Sequence, residues 1–110
     1  MDARERYDEI CDDLAAQNPE VVLTQMMGMP AVKADGKLVC GWVASAEAMV
    51  FKLPQAPAHA QALAHDGAHL FDPGGRGRPF KEWVVVPAAH SSRWAGLAEQ
   101  AFRQRARDVT

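Results

Sequence analysis

Residues 30–43 read PAVKADGKLVCGWV, two short runs separated by Asp35-Gly36. Asp-Gly suits a two-residue reversal in which both central residues take positive φ, so the segment predicts an antiparallel hairpin. Its strands are Pro30 to Ala34 and Lys37 to Val43. The loop length sets an expected register with Ala34 opposite Lys37, Lys33 opposite Leu38 and Val32 opposite Val39. The pattern leaves open which face is buried. Leu38, Cys40 and Trp42 fall on one side, and Val32, Val39 and Val43 on the other.

Upstream, β-branched Val21 and Val22 begin a run to Met27 that reads as a strand, broken by Gly28 and Pro30. Downstream, Ala44 to Ala48 is a small polar connection. Met49, Phe51 and Leu53 then alternate with Val50 and Lys52, a further meander strand that Pro54 ends. The N-terminal segment has a different period. Tyr7, Ile10, Cys11, Leu14 and Ala15 form one stripe, with Glu5, Asp8, Glu9, Asp12 and Asp13 on the other side. Asp2 and Glu5 have capping-box spacing, and Pro19 ends the helix at Asn18.

The second half contains an alanine-rich helix from Ala58 to His65, with Pro57 in its first turn and Gly67 as its stop. Its shortage of large apolar residues predicts shallow burial. His69 to Pro73 leads into Gly74-Gly75-Arg76-Gly77-Arg78-Pro79, a loop, and Phe80 to Val86 is the last strand. There Trp83 and Val85 share one face, with Val84 and Val86 on the other. The final helix is expected to be capped by Ser91 or Ser92 and carries Trp94, Leu97, Ala98, Ala101 and Phe102 at helical spacing. Arg103, Arg105 and Arg107 complement its dipole. The sum is one α+β domain over residues 1–110: a small, mostly antiparallel sheet packed with an N-terminal helix, a short middle helix and a C-terminal helix.

Composition narrows the function classes. The 110 residues are 48% hydrophobic and 24% charged, ordinary for a globular domain with its own core. A net charge of −2 gives no general attraction to nucleic acid or anionic membranes. No run approaches the roughly 20 apolar residues of a membrane helix. The acidic side chains from Asp2 to Asp13 do not fit a signal peptide, so a cytoplasmic location is expected. Cys11 and Cys40 are expected as buried free thiols, with a single disulfide as the alternative.

The order of motifs resembles the N-terminal domain of the TfoX (Sxy) competence-regulator family, with a looser likeness to the MmcQ/YjbR group. The residues that carry it are Met26-Met27-Gly28 and Pro30 before Asp35-Gly36-Lys37, then Met49-Val50-Phe51-Lys52-Leu53. Further on come Phe71, Gly77-Arg78-Pro79-Phe80, Trp83 to Pro87, and the helix with Trp94 and Ala98. The resemblance spans about Arg6 to Phe102, and Met27 stands where an aromatic residue is commoner. It implies a bacterial, non-catalytic interaction or regulatory module, with self-association or a protein partner and a link to transcription or competence. It carries over no catalytic residues.

The best-marked surface is the Gly/Arg loop. Arg76 and Arg78, with Lys81 and Lys52 on neighbouring strands, form a candidate site over 74–81 for a small anion or, as an alternative, nucleic acid, since guanidinium forks suit phosphate and carboxylate. It is not a P-loop, because no Gly-Lys-Ser/Thr ending occurs and a strand follows. The simpler reading is a solvated connection. His65 and His69 are four apart, but Gly67 separates them, and no zinc motif is present, so neither metal nor cofactor is expected. Ser45, Ser91 and Ser92 lack a nucleophile-elbow setting, and no catalytic residue is expected. Met26, Met27, Met29 and Met49, with Trp42 and Trp83, read as core, or as an adaptable face where the sheet is uncovered. A pocket assembled from distant residues, for a small molecule or an enzyme's substrate, stays open as a further alternative.

Overall fold

The structure, a computed structural model, describes residues 2–105. Its elements run α1 (Ala3–Gln17), β1 (Val21–Met26), β2 (Met29–Ala34), β3 (Lys37–Val43), β4 (Ala48–Lys52), α2 (Ala58–Leu63), β5 (His69–Phe71), β6 (Phe80–Pro87) and α3 (Trp94–Gln104). The six strands form one antiparallel sheet in the order β1-β2-β3-β4-β6-β5. Four strands make a meander, β6 joins against β4, and β5 folds back as the far edge. The fold class is α+β, as expected.

Helix α1 begins at the expected capping box. The Asp2 carboxylate accepts from the Glu5 amide at 2.8 Å, and the Glu5 carboxylate accepts from the Asp2 amide at 3.3 Å. Tyr7, Ile10, Cys11 and Leu14 are buried along one stripe, and the helix stops at Asn18, before Pro19.

Two tight reversals organise the meander. Asp35 and Gly36 both have positive φ, 54° and 77°, and close β2 on β3 as the sequence predicts. Met27 and Gly28 do the same at 50° and 79°, with Met26 directly opposite Met29. The sequence marks only a break there, because methionine pays a steric cost at positive φ that a hairpin closed elsewhere along the sheet can offset.

The expected register needs one correction. Ala34 faces Lys37 and Lys33 faces Leu38, but Val32 faces Cys40, not Val39. The register shift between Val32 and Lys33 leaves Val39 as the extra residue of a β-bulge, so Val39 and its neighbour Cys40 are both buried in the same core. That settles which face of the hairpin is inside. Strict alternation could not, because the bulge breaks it.

All three helices lie on one face of the sheet. Tyr7, Ile10, Cys11 and Leu14 of α1, Ala58 and Ala62 of α2, and Trp94, Leu97, Ala98 and Ala101 of α3 form one cluster with Val32, Cys40, Trp42, Met49, Phe51, Val84 and Val86. Trp42 joins the layers, its ring centroid 5.9 Å from Tyr7 and 6.4 Å from Trp94. Helix α2 contributes only alanines to the buried set, which is shallow burial as expected. On the opposite face Ala48, Val50, Phe71 and Val85 form a smaller core, with Met26, Met29, Val43 and Trp83 packed against it. The methionines therefore divide: Met49 fills the main core, Met26 and Met29 help close the second face, and Met27 is exposed.

Three further expectations are corrected. His69 to Phe71 is not plain connection but strand β5, paired with β6. The middle helix ends at Leu63, short of His65. Neither Ser91 nor Ser92 caps α3. A 3-10 segment, Ala88–Arg93, precedes the helix, and its N-cap position is Arg93, without a side-chain cap bond. The entry is anchored instead by Trp94, whose indole N–H donates to the Val86 carbonyl at 3.1 Å. At the other end Arg103 pairs with Glu99 at 3.4 Å. Arg105 donates to the Phe102 carbonyl and reaches further, to Glu20 and Asp35, both at 3.1 Å. Arg107 lies outside the described residues.

Candidate functional site

The Gly/Arg loop is a wrapped connection between β5 and β6, ordered by Asp72. The Asp72 backbone carbonyl accepts from the Gly75 amide at 3.1 Å, and its carboxylate accepts from the Gly77 amide at 3.0 Å. Gly75 and Gly77 adopt φ of 61° and 72°, which lets the loop curl around that carboxylate. The curl turns Arg76 and Arg78 into the lining of one open groove of about 420 Å³, with Asp72, Gly74 and the exposed ring of Phe80. Phe80 is held from behind by Phe71, at a ring-centroid distance of 6.0 Å.

Of the four candidate anion-site residues, the groove unites Arg76 and Arg78 but not Lys81 and Lys52. Lys52 lies opposite Trp83 on the β4–β6 pair, on the sheet face away from the helices, and neither Lys52 nor Lys81 lines the groove. The backbone of Lys81 is tied down by His59, whose ring nitrogen donates to its carbonyl at 2.7 Å. The carboxylate of Asp72 sits in the groove and offsets one of its two guanidinium charges. The site is therefore a weakly cationic groove beside an aromatic ring, not a four-cation cradle.

The remaining polar groups are spread out. His65 and His90 meet edge to face at 4.9 Å, with His90 donating to the Asp66 carbonyl at 2.8 Å, while His69 bonds the Gly67 carbonyl at 3.2 Å. Among the described residues no three His, Cys, Asp or Glu side chains are placed to hold a metal ion, and no helix is long and apolar enough to cross a membrane. Cys11 and Cys40 are free and buried. They are also neighbours, which the sequence does not reveal. The step Tyr7 to Cys11 along α1 matches the step Trp42 to Cys40 along β3, so the Tyr7–Trp42 contact brings the thiols together. Their mutual hydrogen bond lowers the Cys11 pKa and, with burial, raises that of Cys40. Burial holds the Tyr7 hydroxyl strongly neutral beside Cys11. The two thiols are enclosed, while Tyr7 also lines an open groove of about 490 Å³ beside Leu23 and Thr24 of β1.

The feature that sequence reasoning missed is the free edge at β1. This strand is outermost in the sheet, and Val21–Met26 contains no charged residue and no proline. Val22 is 57% exposed, Leu23 51% and Met27 57%. Because the two-residue turn makes Met26 and Met29 a hydrogen-bonded pair, Thr24 and Val22 also direct their backbone groups at β2. Leu23 and Gln25 then point theirs outward. The Val21 amide is already engaged by the Asn18 carbonyl at 3.0 Å. The signal in the sequence was the uncharged run itself, but its edge position depends on strand order. Compared with known proteins, the chain matches no family model, no curated protein and no solved structure.

Proposed function

We propose that this chain is a non-catalytic interaction module of the TfoX N-terminal type, and that it engages its partner by strand addition along β1. The observation that carries the reading is the uncharged, exposed edge from Val21 to Met26. Its outward-facing backbone groups at Leu23 and Gln25 accept an extended chain, with Val22 and Leu23 gripping it from opposite faces. The resemblance to the TfoX family supports a regulatory setting in a bacterial cytoplasm. Selection from a library of extended peptides on the immobilised protein tests it. Binders are expected that lose affinity on Leu23→Lys. A library yielding none, or binders indifferent to Leu23→Lys, refutes the edge as the docking element.

A second reading has its own observation. Arg76 and Arg78 share a groove with an exposed aromatic face, a combination suited to a small anion carrying a flat apolar part. Titration with phosphorylated metabolites and short oligonucleotides at low salt is expected to shift the amide signals of Gly74 to Lys81, and to lose that effect in Arg76→Ala/Arg78→Ala. Unmoved signals end this reading.

A further inference from the structure

We propose that the strand added to β1 is β1 of a second copy, paired antiparallel across a twofold axis at the Leu23–Thr24 centre of the strand. This rests on the edge-docking reading above and names its partner.

The strand is chemically self-complementary. A twofold axis sets a strand against its own sequence, so any charge near the axis meets its own like charge. The strand Val-Val-Leu-Thr-Gln-Met carries none, and it also lacks the lysine, proline or bulge with which edges are commonly blunted. Its exposed apolar surface is also centred on the strand. Val22 and Leu23 are adjacent, project to opposite faces, and lie beside the strand centre. A twofold at Leu23 sets Leu23 against its own copy on one face and Val22 diagonal to its copy on the other, while a twofold at Thr24 keeps the two Leu23 side chains diagonal and sets Val22 against Met26 of the other copy.

The pairing also closes on itself. The opposite edge of the sheet is β5, only three residues long, with a register shift between Leu70 and Phe71. It cannot receive a six-residue strand, so copies cannot add head to tail. Pairing of β1 with β1 uses both long edges at once and ends at a dimer. The free backbone groups select the centre. With the Val21 amide engaged by Asn18, axes at Leu23 or Thr24 each allow four main-chain hydrogen bonds drawn from Leu23, Gln25 and the Val21 carbonyl. Axes nearer either end lose bonds to that engaged amide or run into the Met27-Gly28 turn.

Two measurements test this. In sedimentation equilibrium the wild-type chain is expected to show a concentration-dependent monomer–dimer equilibrium. Leu23→Lys is expected to weaken it at least about tenfold, with a thermal midpoint unchanged in dilute, monomeric protein showing that the fold is intact. Separately, Leu23→Cys and Thr24→Cys chains are oxidised with a glutathione redox couple. Across a twofold the two new thiols lie at disulfide distance, and their joining releases two protons while two electrons pass to glutathione disulfide. At least one of the two variants is expected to form a covalent dimer, while Lys81→Cys and wild type do not. A chain monomeric at every concentration reached, with neither variant cross-linking, overturns the proposal. If that chain still binds selected peptides through Leu23, edge docking stands and only the second copy falls. If it binds none, both fall.

Discussion

Arg105 offers the sharpest quantitative test of how the C-terminal helix is fixed to the rest of the domain. Its side chain is only 11% exposed, stacks 3.9 Å above the Phe102 ring, and joins Glu20 before β1 to Asp35 in the β2–β3 turn. The two bridges are unequal. Asp35 is 64% exposed, so water competes for it and the pair is worth about 0.2–0.4 kcal/mol. Glu20 is 34% exposed, and its bond to a largely desolvated guanidinium is worth about 1 kcal/mol. The bond to the Phe102 carbonyl adds about 1 kcal/mol. Against these stands the Arg105 Nε, buried without a hydrogen-bond partner among the described residues, whose removal returns about 1 kcal/mol. Arg105→Met keeps the apolar stem on Phe102, so the net expected loss is about 1–2 kcal/mol, or about 4–8 °C in Tm. Urea unfolding of Arg105→Met, Glu20→Gln and the double variant gives the coupling directly. About 0.5–1 kcal/mol is expected, against less than half that for the Asp35→Asn cycle. A Glu20 coupling indistinguishable from zero, or smaller than that of Asp35, would mean that burial does not strengthen the Arg105–Glu20 bridge.

Three further outcomes follow from the packing. Trp94→Phe removes the donor to the Val86 carbonyl and leaves space in the main core, and is expected to cost about 2–3 kcal/mol in the same assay. Gly36→Ala meets no neighbour, yet must hold φ near 77°, so a loss of about 1–2 kcal/mol is expected, and a smaller one for Gly36→Asn. The Cys11 and Cys40 thiols, both buried, are expected to react with a thiol reagent only at the rate of unfolding, and rapid native-state labelling would contradict their enclosure.

Much of this architecture was legible because it is local. Asp35-Gly36 needs only its own two residues to reverse the chain, and the α1 stripe with its capping box needs only one helix. The misses are of another kind. Strand β5 is three residues long, too short for a period, and exists because β6 offers it a ladder. Val39 is an extra residue only relative to Val32 across the hairpin. Ser91 and Ser92 have capping chemistry, but the 3-10 segment shifts the helix start past them, and Trp94 anchors the entry through Val86. The loop arginines were recognisable from glycine content and charge. Their separation from Lys52 and Lys81 was not, since it depends on the β4–β6 register. The β1 edge is the extreme case, because nothing within Val21–Met26 says that it lies outermost.

Strand addition at β1 requires that this edge be open in the lone chain and become covered on association. Amide hydrogen exchange resolved at Val22, Leu23, Thr24 and Gln25 reads it directly. Val22 and Thr24, bonded to β2, are expected to be protected throughout, while Leu23 and Gln25 exchange quickly in dilute protein and slow as concentration rises. Fast exchange at Leu23 and Gln25 under every condition, or protection already complete at the lowest concentration, would contradict it.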